Sequence, residues 1–219
     1  MSGERDLPEG FVIYTDYQTA GRGQQGSSWE SASGQNLLFS LLLYPKHIPA
    51  NEQFLISQVV SVGIKRTLDK YVDNISVKWP NDIFWNNQKL AGILIENSLQ
   101  GNLIKKTIVG VGLNVNQSDF DTANAVSLVQ ITAKNYQKKL LLEEIRKNIL
   151  AVYRLCTAEQ IRAEYLQMLY RKSGYFLYSA QNEMFEARIT NILPDGHLVL
   201  EDRAGEKRSF YFKEVRFEN

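Results

Sequence analysis

A single cysteine, Cys156, cannot form an intramolecular disulfide, and two widely separated histidines, His47 and His197, give no metal-ligand spacing. These scarcities exclude a disulfide scaffold and a zinc site. Cys156 itself sits in an apolar helical pattern and reads as a structural thiol. Long hydrophobic runs are also missing: Leu37 to Tyr44 falls far short of the ~20 residues that cross a bilayer, so no membrane helix is expected. Charge of one sign is lacking too. The 25 Lys and Arg against 24 Asp and Glu leave +1, too little to draw the whole chain onto nucleic acid or an anionic membrane. The first residues carry Glu4, Asp6 and Glu9 and no apolar block, the opposite of a secretory or mitochondrial leader, so a cytoplasmic protein is expected. What the sequence does have is 44% hydrophobic and 11% aromatic residues over 219 positions, enough for one substantial packed domain and a small one.

Phe11 to Thr15 reads as a strand, and residues 16–36, rich in Gly, Ser, Gln and Asn, as a long loop of the kind that usually carries function. Leu37 to Tyr44 reads as a buried strand. Leu55, Val59 and Val62 recur at i, i+4 and i+7, which predicts an amphipathic helix capped by Asn51 and ending near Val72. Four apolar stretches follow: Ile75 to Trp79, Asp82 to Trp85, Leu90 to Ile95 and Leu103 to Val115. The joins at Asn86-Asn87-Gln88 and Gln100-Gly101-Asn102 are too short for anything but antiparallel neighbours, so the class is α+β with a mainly antiparallel sheet. Residues 134–172 are helical by the spacing of Leu142, Ile145, Ile149 and Val152. They hold nine Lys and Arg against four Glu, a local +5 that reads as a solvated helix face, with an acidic partner or a nucleic acid as weaker alternatives. After Ser173-Gly174 the pattern alternates (Phe185, Ala187, Ile189; Leu198, Leu200; Phe210, Phe212), with turns at Pro194-Asp195-Gly196 and Ala204-Gly205. This predicts a small β-barrel module. Two domains are therefore expected, 1–173 and 174–219.

Gly21-Arg22-Gly23-Gln24-Gln25-Gly26 has the literal G-x-G-x-x-G spacing of a dinucleotide site, but its context fails. The glycines run into Ser27-Ser28-Trp29 instead of opening a helix, and no acidic residue stands between Glu30 and Glu52 to hold a ribose. What remains is a loop whose N–H groups, with Arg22, suit a phosphate or carboxylate, against the plainer reading of a mobile surface loop. Lys78-Trp79-Pro80-Asn81-Asp82 crowds a cation, an aromatic, a rigid turn residue and two polar groups at a strand end. Its plain reading is a core Trp followed by a turn. Lys89 is by default a strand-edge cation, and Gly92 inside a strand marks a close approach of backbone or ligand.

In order along the chain, Asp16-Tyr17-Gln18-Thr19-Ala20-Gly21-Arg22-Gly23-Gln24-Gln25-Gly26 with Trp29, Lys78-Trp79-Pro80-Asn81-Asp82, Lys89-Leu90-Ala91-Gly92-Ile93-Leu94 and Gly110-Val111-Gly112-Leu113-Asn114-Val115 resemble the signature set of the biotin protein ligases, which biotinylate acetyl-CoA carboxylase. The resemblance is strong over residues 10–130, and the terminal β module is similar in pattern to that family's SH3-like domain. It implies a biotin/lipoate ligase fold, akin to class II synthetases. It further implies a two-step ligase: the biotin carboxylate attacks the α-phosphate of Mg-ATP, and a lysine of the biotin carboxyl carrier protein then takes the acyl group from biotinyl-adenylate. Biotin, ATP, Mg2+ carried on ATP and the carrier protein are the implied substrates and partners, with a homodimer as a further candidate assembly. By the same resemblance Lys89 touches the biotin carboxylate and the phosphate, Arg22 and Gly23 form the loop that folds over the adenylate, and Gln18 and Gly21 line the biotin side. Asp82 orients the acceptor amine and Asn114 positions phosphate or Mg2+. Gln24, Trp29, Lys78, Asn81, Gly92 and Gly112 complete the implied binding set, and no protein-only metal site is implied.

Two departures from the family pattern stand out. Gln24 occupies a position that is often basic, which implies looser retention of the adenylate. No strand with a Ser/Thr-Asn pair for the ureido ring precedes Phe11, and a buried ureido group left unpaired costs on the order of 1 to 3 kcal/mol per lost partner. Either the chain starts late or its biotin affinity is poor. The family's DNA-binding N-terminal domain has no counterpart, so DNA is not an expected partner. A lipoate or octanoate ligase and a non-catalytic module that binds biotin or a carrier are the two other readings.

Overall fold

The structure is a computed structural model and describes residues 7–218; Glu4 and Asp6, used above to argue against a leader, lie outside them. No helix among the described residues is long and apolar enough to cross a membrane. Six strands form an antiparallel sheet: β1 (Val12–Thr15), β2 (Leu37–Leu43), β3 (Ile75–Lys78), β4 (Asp82–Trp85), β5 (Gln88–Gln100) and β6 (Leu103–Leu113). Their order is β1-β2-β6-β5-β4-β3. Both short joins make hairpins, because Asn86 and Gly101 take left-handed conformations (φ 50° and 60°) that reverse the chain at once. The α+β class follows directly from them.

Strand alternation sends one set of side chains inward. Ile83, Ile93, Val111 and Leu41 are buried, and helices α1 (Phe54–Leu68), α3 (Lys138–Leu155) and α4 (Ala158–Gln167) contribute Ile56, Val60, Ile64, Ile145, Ile149 and Ile161 to the same core. Each such side chain contributes about 1.5–3 kcal/mol. The first helix begins later than its sequence suggests. Pro49 leads into a 3-10 turn, Ala50–Glu52, so Asn51 lies in that turn and caps nothing. The helix ends at Leu68, short of Val72. The long helical stretch is broken after Leu155, where Thr157 and Gln160 form a capping box that starts α4. A short helix, α2 (Leu128–Thr132), was not expected; its own capping box is built by Ser127 and Gln130.

The second sheet holds β7 (Phe176–Ala180), β8 (Glu183–Ile192), β9 (Leu198–Asp202), β10 (Lys207–Phe210) and β11 (Arg216–Phe217), in the order β10-β9-β8-β7-β11. Phe212, expected to share a strand with Phe210, lies beyond the end of β10 in the turn that leads to β11. One apolar cluster runs through both sheets, and Trp79 Nε1–H donates across them to the Gly196 carbonyl at 2.9 Å. The basic helical segment finds acids from elsewhere in the chain: Lys138 pairs with Asp16 (2.5 Å), Arg154 with Glu9 (3.5 Å) and Arg162 with Glu52 (2.5 Å). Three of its nine cations are thus paired with acids from outside the segment, while its own Glu144 and Glu164 pair with Lys70 and Arg66.

Gly63 is where α1 meets α3, since a Cβ there would stand 2.6 Å from Ile149 Cα. Gly63→Ala is expected to destabilise the protein by about 1–3 kcal/mol through overpacking, read as a lowered Tm. An unchanged Tm would mean that the helices separate without cost.

Candidate active site

The sheet face opposite the helices carries the site. Register aligns Lys78 with Asp82, Asp82 with Gly92, Gly92 with Gly112 and Gly112 with Leu38, so one row crosses β3, β4, β5, β6 and β2. Charged groups stand at one end of that row and a glycine floor lies in the middle. The Trp29 ring rests on this floor: a Cβ at Gly112 would stand 2.7 Å from Trp29 Cζ2, and one at Gly92 would stand 3.0 Å from Cζ3. Its Nε1–H is buried and has no hydrogen-bond partner among the described residues.

Lys89 opens β5 beside a bulge in the β4–β5 pairing and folds back over Gly92, whose Cβ position lies 3.4 Å from the Lys89 Nζ. The ammonium stands 2.8 Å from Asp82 Oδ1 and 5.5 Å from the centre of the Trp29 ring. Burial pushes the Asp82 carboxyl up from the ordinary carboxylate range, against the pull of Lys89 and Lys78. Burial also pushes the Lys78 ammonium down, opposed by Asp82 and helped by Arg171 and Lys89. The backbone under Lys89 is fixed. Its N–H donates to Asn124 O (2.6 Å), its carbonyl accepts from Val126 N–H (3.0 Å), and the buried Asn114 side chain donates to Val126 O (3.1 Å).

The glycine loop is a small hairpin. Trp29 N–H donates to Gly21 O (3.0 Å), Gly23 N–H donates to Ser27 O (2.7 Å), and Gln24–Gly26 form a 3-10 turn at the tip. Gly23 must lack a side chain, since a Cβ would overlap Ser27. The loop is tied to the sheet by Arg22 to Glu96 at 3.5 Å, with 73% and 50% of the two side chains exposed, a pair that contributes little. Gln24 Oε1 is buried without a hydrogen-bond partner among the described residues.

A cavity of ≈ 720 Å³ is lined by Gln18, Arg22, Gly23, Gln24, Trp29, Lys78, Asn81, Asp82, Lys89, Gly92 and Gly112. Gly21 and Asn114 lie apart from it, on a neighbouring cavity of ≈ 720 Å³ that Gln18, Trp29 and Lys89 also line. Asn114 acts there as a backbone clamp, its amide committed to carbonyls, and Asn81 Nδ2–H is likewise committed to Ile93 O (2.7 Å). Sequence reasoning missed Phe212, Lys213, Arg216 and Phe217, which reach the first cavity from the second sheet. No local signal marks them, because only the docking of the two sheets brings them there. The cavity gathers Lys89, Lys78 and Arg22, with Lys213 and Arg216 from the second sheet, beside the Asp82 carboxylate on a floor without side chains. That suits two anionic reactants held together while charge builds on phosphoryl oxygens.

Residues 3–114 match the family model described as the biotin/lipoate A/B protein ligase family. The bifunctional ligase/repressor BirA of Bacillus subtilis is 31% identical over 146 residues, which cover 64% of this chain and 45% of that protein. The biotin–[acetyl-CoA-carboxylase] ligase of Mycobacterium tuberculosis is 29% identical over 154 residues, covering 65% and 55%. The chain thus spans about half the length of these curated relatives. Among solved structures, the biotin protein ligase from Aquifex aeolicus in complex with biotin and ATP shares the fold, with a TM-score of 0.78 at 24% identity over 98% of this chain and 92% of that one.

Seating of Trp29 on the glycine floor is open to test. Gly112→Ala leaves no room for the ring, so the variant is expected to expel Trp29 into water and red-shift its fluorescence, a shift that vanishes in a Trp29→Phe background. An unshifted spectrum would remove the floor from this account.

Proposed function

Because the chain belongs to the biotin/lipoate A/B protein ligase family, we propose that it activates biotin with ATP and passes it to a lysine of a carrier protein, the biotin carboxyl carrier protein of acetyl-CoA carboxylase. The observation that carries this reading is the Lys89 ammonium, held 2.8 Å from Asp82 directly over Gly92 on a glycine floor that a loop covers. A carboxylate oxygen of biotin attacks the α-phosphorus of ATP and the bond to the β-phosphate oxygen breaks, releasing pyrophosphate. Lys89 neutralises both the entering carboxylate and the reacting phosphate in this reading, and Arg22 adds a second cation from the loop. Magnesium enters as Mg-ATP, since the cavity carboxylates Asp82 and Glu96 are already paired with Lys89 and Arg22.

The acyl-adenylate is prone to hydrolysis, so the loop that carries Arg22, Gly23 and Gln24 serves to exclude water until the carrier arrives. The amine of the carrier lysine then attacks the acyl carbon, AMP leaves with the bonding pair, and the amine loses a proton. Asp82, next to Lys89, is placed to orient that amine. Residues 1–173 form the domain that carries Lys89, Asp82 and Arg22, residues 174–219 form a smaller domain that adds to the cavity wall, and the reaction belongs to the cytoplasm. The family also includes lipoate ligases, which makes lipoate the competing acyl group.

Incubating the chain with Mg-ATP, a biotin-acceptor domain and either biotin or lipoate decides between them by intact mass. Labelling with biotin alone is expected; labelling with lipoate alone would reassign the substrate, and no pyrophosphate release with either would leave a binding module. Lys89→Ala is expected to lower adenylate formation by about 10²–10³-fold in a chain that still folds, and wild-type turnover would remove Lys89 from the mechanism. For retention, Arg22→Ala should raise the release of free biotinyl-adenylate and Gln24→Arg should lower it, both measured by chromatography of the filtrate. Unchanged release in both would sink the lid role of the loop.

A further inference from the structure

Lys78 is a cavity cation to which the mechanism above gives no part. Its register partner Asp82 is held by Lys89 at 2.8 Å, and among the described residues no carboxylate lies within ion-pair distance of the Lys78 ammonium. Aromatic faces surround it instead. Its Nζ stands 4.9 Å from the ring centre of Phe84, 5.3 Å from Phe217 and 5.9 Å from Tyr170. The three rings come from β4, from β11 and from the segment that follows α4. That segment is pinned to β3, since Tyr170 N–H donates to Val77 O (2.8 Å) and Val77 N–H donates to Met168 O (2.9 Å). Phe217 is held mainly from its own sheet, where its ring packs edge-on against Tyr178 (5.1 Å between centres) and Glu218 N–H donates to Leu177 O (3.1 Å); towards the large sheet it meets Tyr170 (6.3 Å) and the Lys78 ammonium. It belongs to a two-residue strand at the edge of the second sheet, paired only to β7, and the carbonyl of the next residue, Glu218, accepts from Arg171 at 2.6 Å. Its neighbour Arg216 lines the cavity.

A cation over aromatic faces attracts them, most strongly where water is excluded, so a half-buried ammonium among three rings draws together the elements that carry them. We propose that Lys78 is a positioning residue: its caged ammonium seats β11 against the large sheet and so holds Arg216 on the cavity wall, where it meets the nucleotide phosphates. The phosphate role of Arg216 rests on the ligase reading; the seating of β11 does not.

The test uses the full chain with Lys78→Met, Lys78→Arg, Phe217→Leu, Lys78→Met combined with Phe217→Leu, and Arg216→Gln. Methionine keeps the length and packing of lysine and removes the charge. Amide exchange of the peptide covering 215–218 is expected to quicken roughly tenfold in Lys78→Met and to recover in Lys78→Arg. The double variant should exchange no faster than Phe217→Leu alone, since Phe217→Leu already removes the ring that Lys78 holds, together with its contacts to Tyr178 and Tyr170. In biotin-dependent pyrophosphate release, Lys78→Met and Arg216→Gln should each raise the KM for ATP roughly fivefold or more, with kcat within about twofold. Only the first of these two should alter exchange. Unchanged exchange in Lys78→Met, additive effects in the double variant, a loss of kcat at constant KM, or an unaltered KM in Arg216→Gln would each overturn the proposal. A wild-type chain that releases no pyrophosphate with biotin overturns the ligase reading and the part given to Arg216, and the exchange measurements then judge the seat of β11 by themselves.

Discussion

Gly92 and Gly112 face each other across β5 and β6, and the absence of a Cβ at both leaves a strip of bare backbone in the middle of an otherwise side-chain-covered sheet. Much of the site depends on that gap. Trp29 can lie on the strip only because nothing projects from it, and Trp29 N–H in turn closes the glycine hairpin onto Gly21 O. Lys89 folds over the same strip to reach Asp82, which the register sets beside Gly92. A methyl group at Gly112 would disturb the loop, and one at Gly92 would press on both the ring and the lysine.

Charge is arranged differently inside the site and outside it. On the helices, cations and acids from distant parts of the chain meet at the surface, as Lys138 with Asp16 and Arg66 with Glu164 do, and such pairs contribute modestly. In the cavity the same residue types are partly desolvated. Burial raises the Asp82 carboxyl against the pull of Lys89 and Lys78, and it lowers the Lys78 ammonium, opposed by Asp82 and reinforced by Arg171 and Lys89. Arg22, by contrast, is mostly exposed and only loosely paired with Glu96.

The second sheet is a part of this architecture. Gly196 packs against Phe54 at the start of α1 and accepts the Trp79 indole hydrogen, so the strand end that leads to Asn81 and Asp82 is braced from the far side. Through Phe212, Lys213, Arg216 and Phe217 the same sheet contributes to the wall of the cavity. Deleting it would expose Trp79 and open the site at once.

Local chemistry made part of this protein legible in its sequence. Asn86-Asn87 and Gly101 can reverse a chain within two or three residues, which fixed the antiparallel pairing and the α+β class, and the alternation after Ser173 gave the second sheet. The motifs around Arg22, Lys78, Lys89 and Gly112 carried the family resemblance because each is contiguous. Helix limits were less legible, since Pro49 and Thr157 set them through turn and cap geometry that competes with apolar spacing. Tertiary structure alone decided the remainder. Register put Lys78, Asp82, Gly92 and Gly112 in one row, the segment 124–126 fixed the backbone of Lys89, and sheet docking brought β11 to the cavity. Each of these joins residues distant along the chain, and what joins them is the burial of a shared core, which acts only once the elements have met.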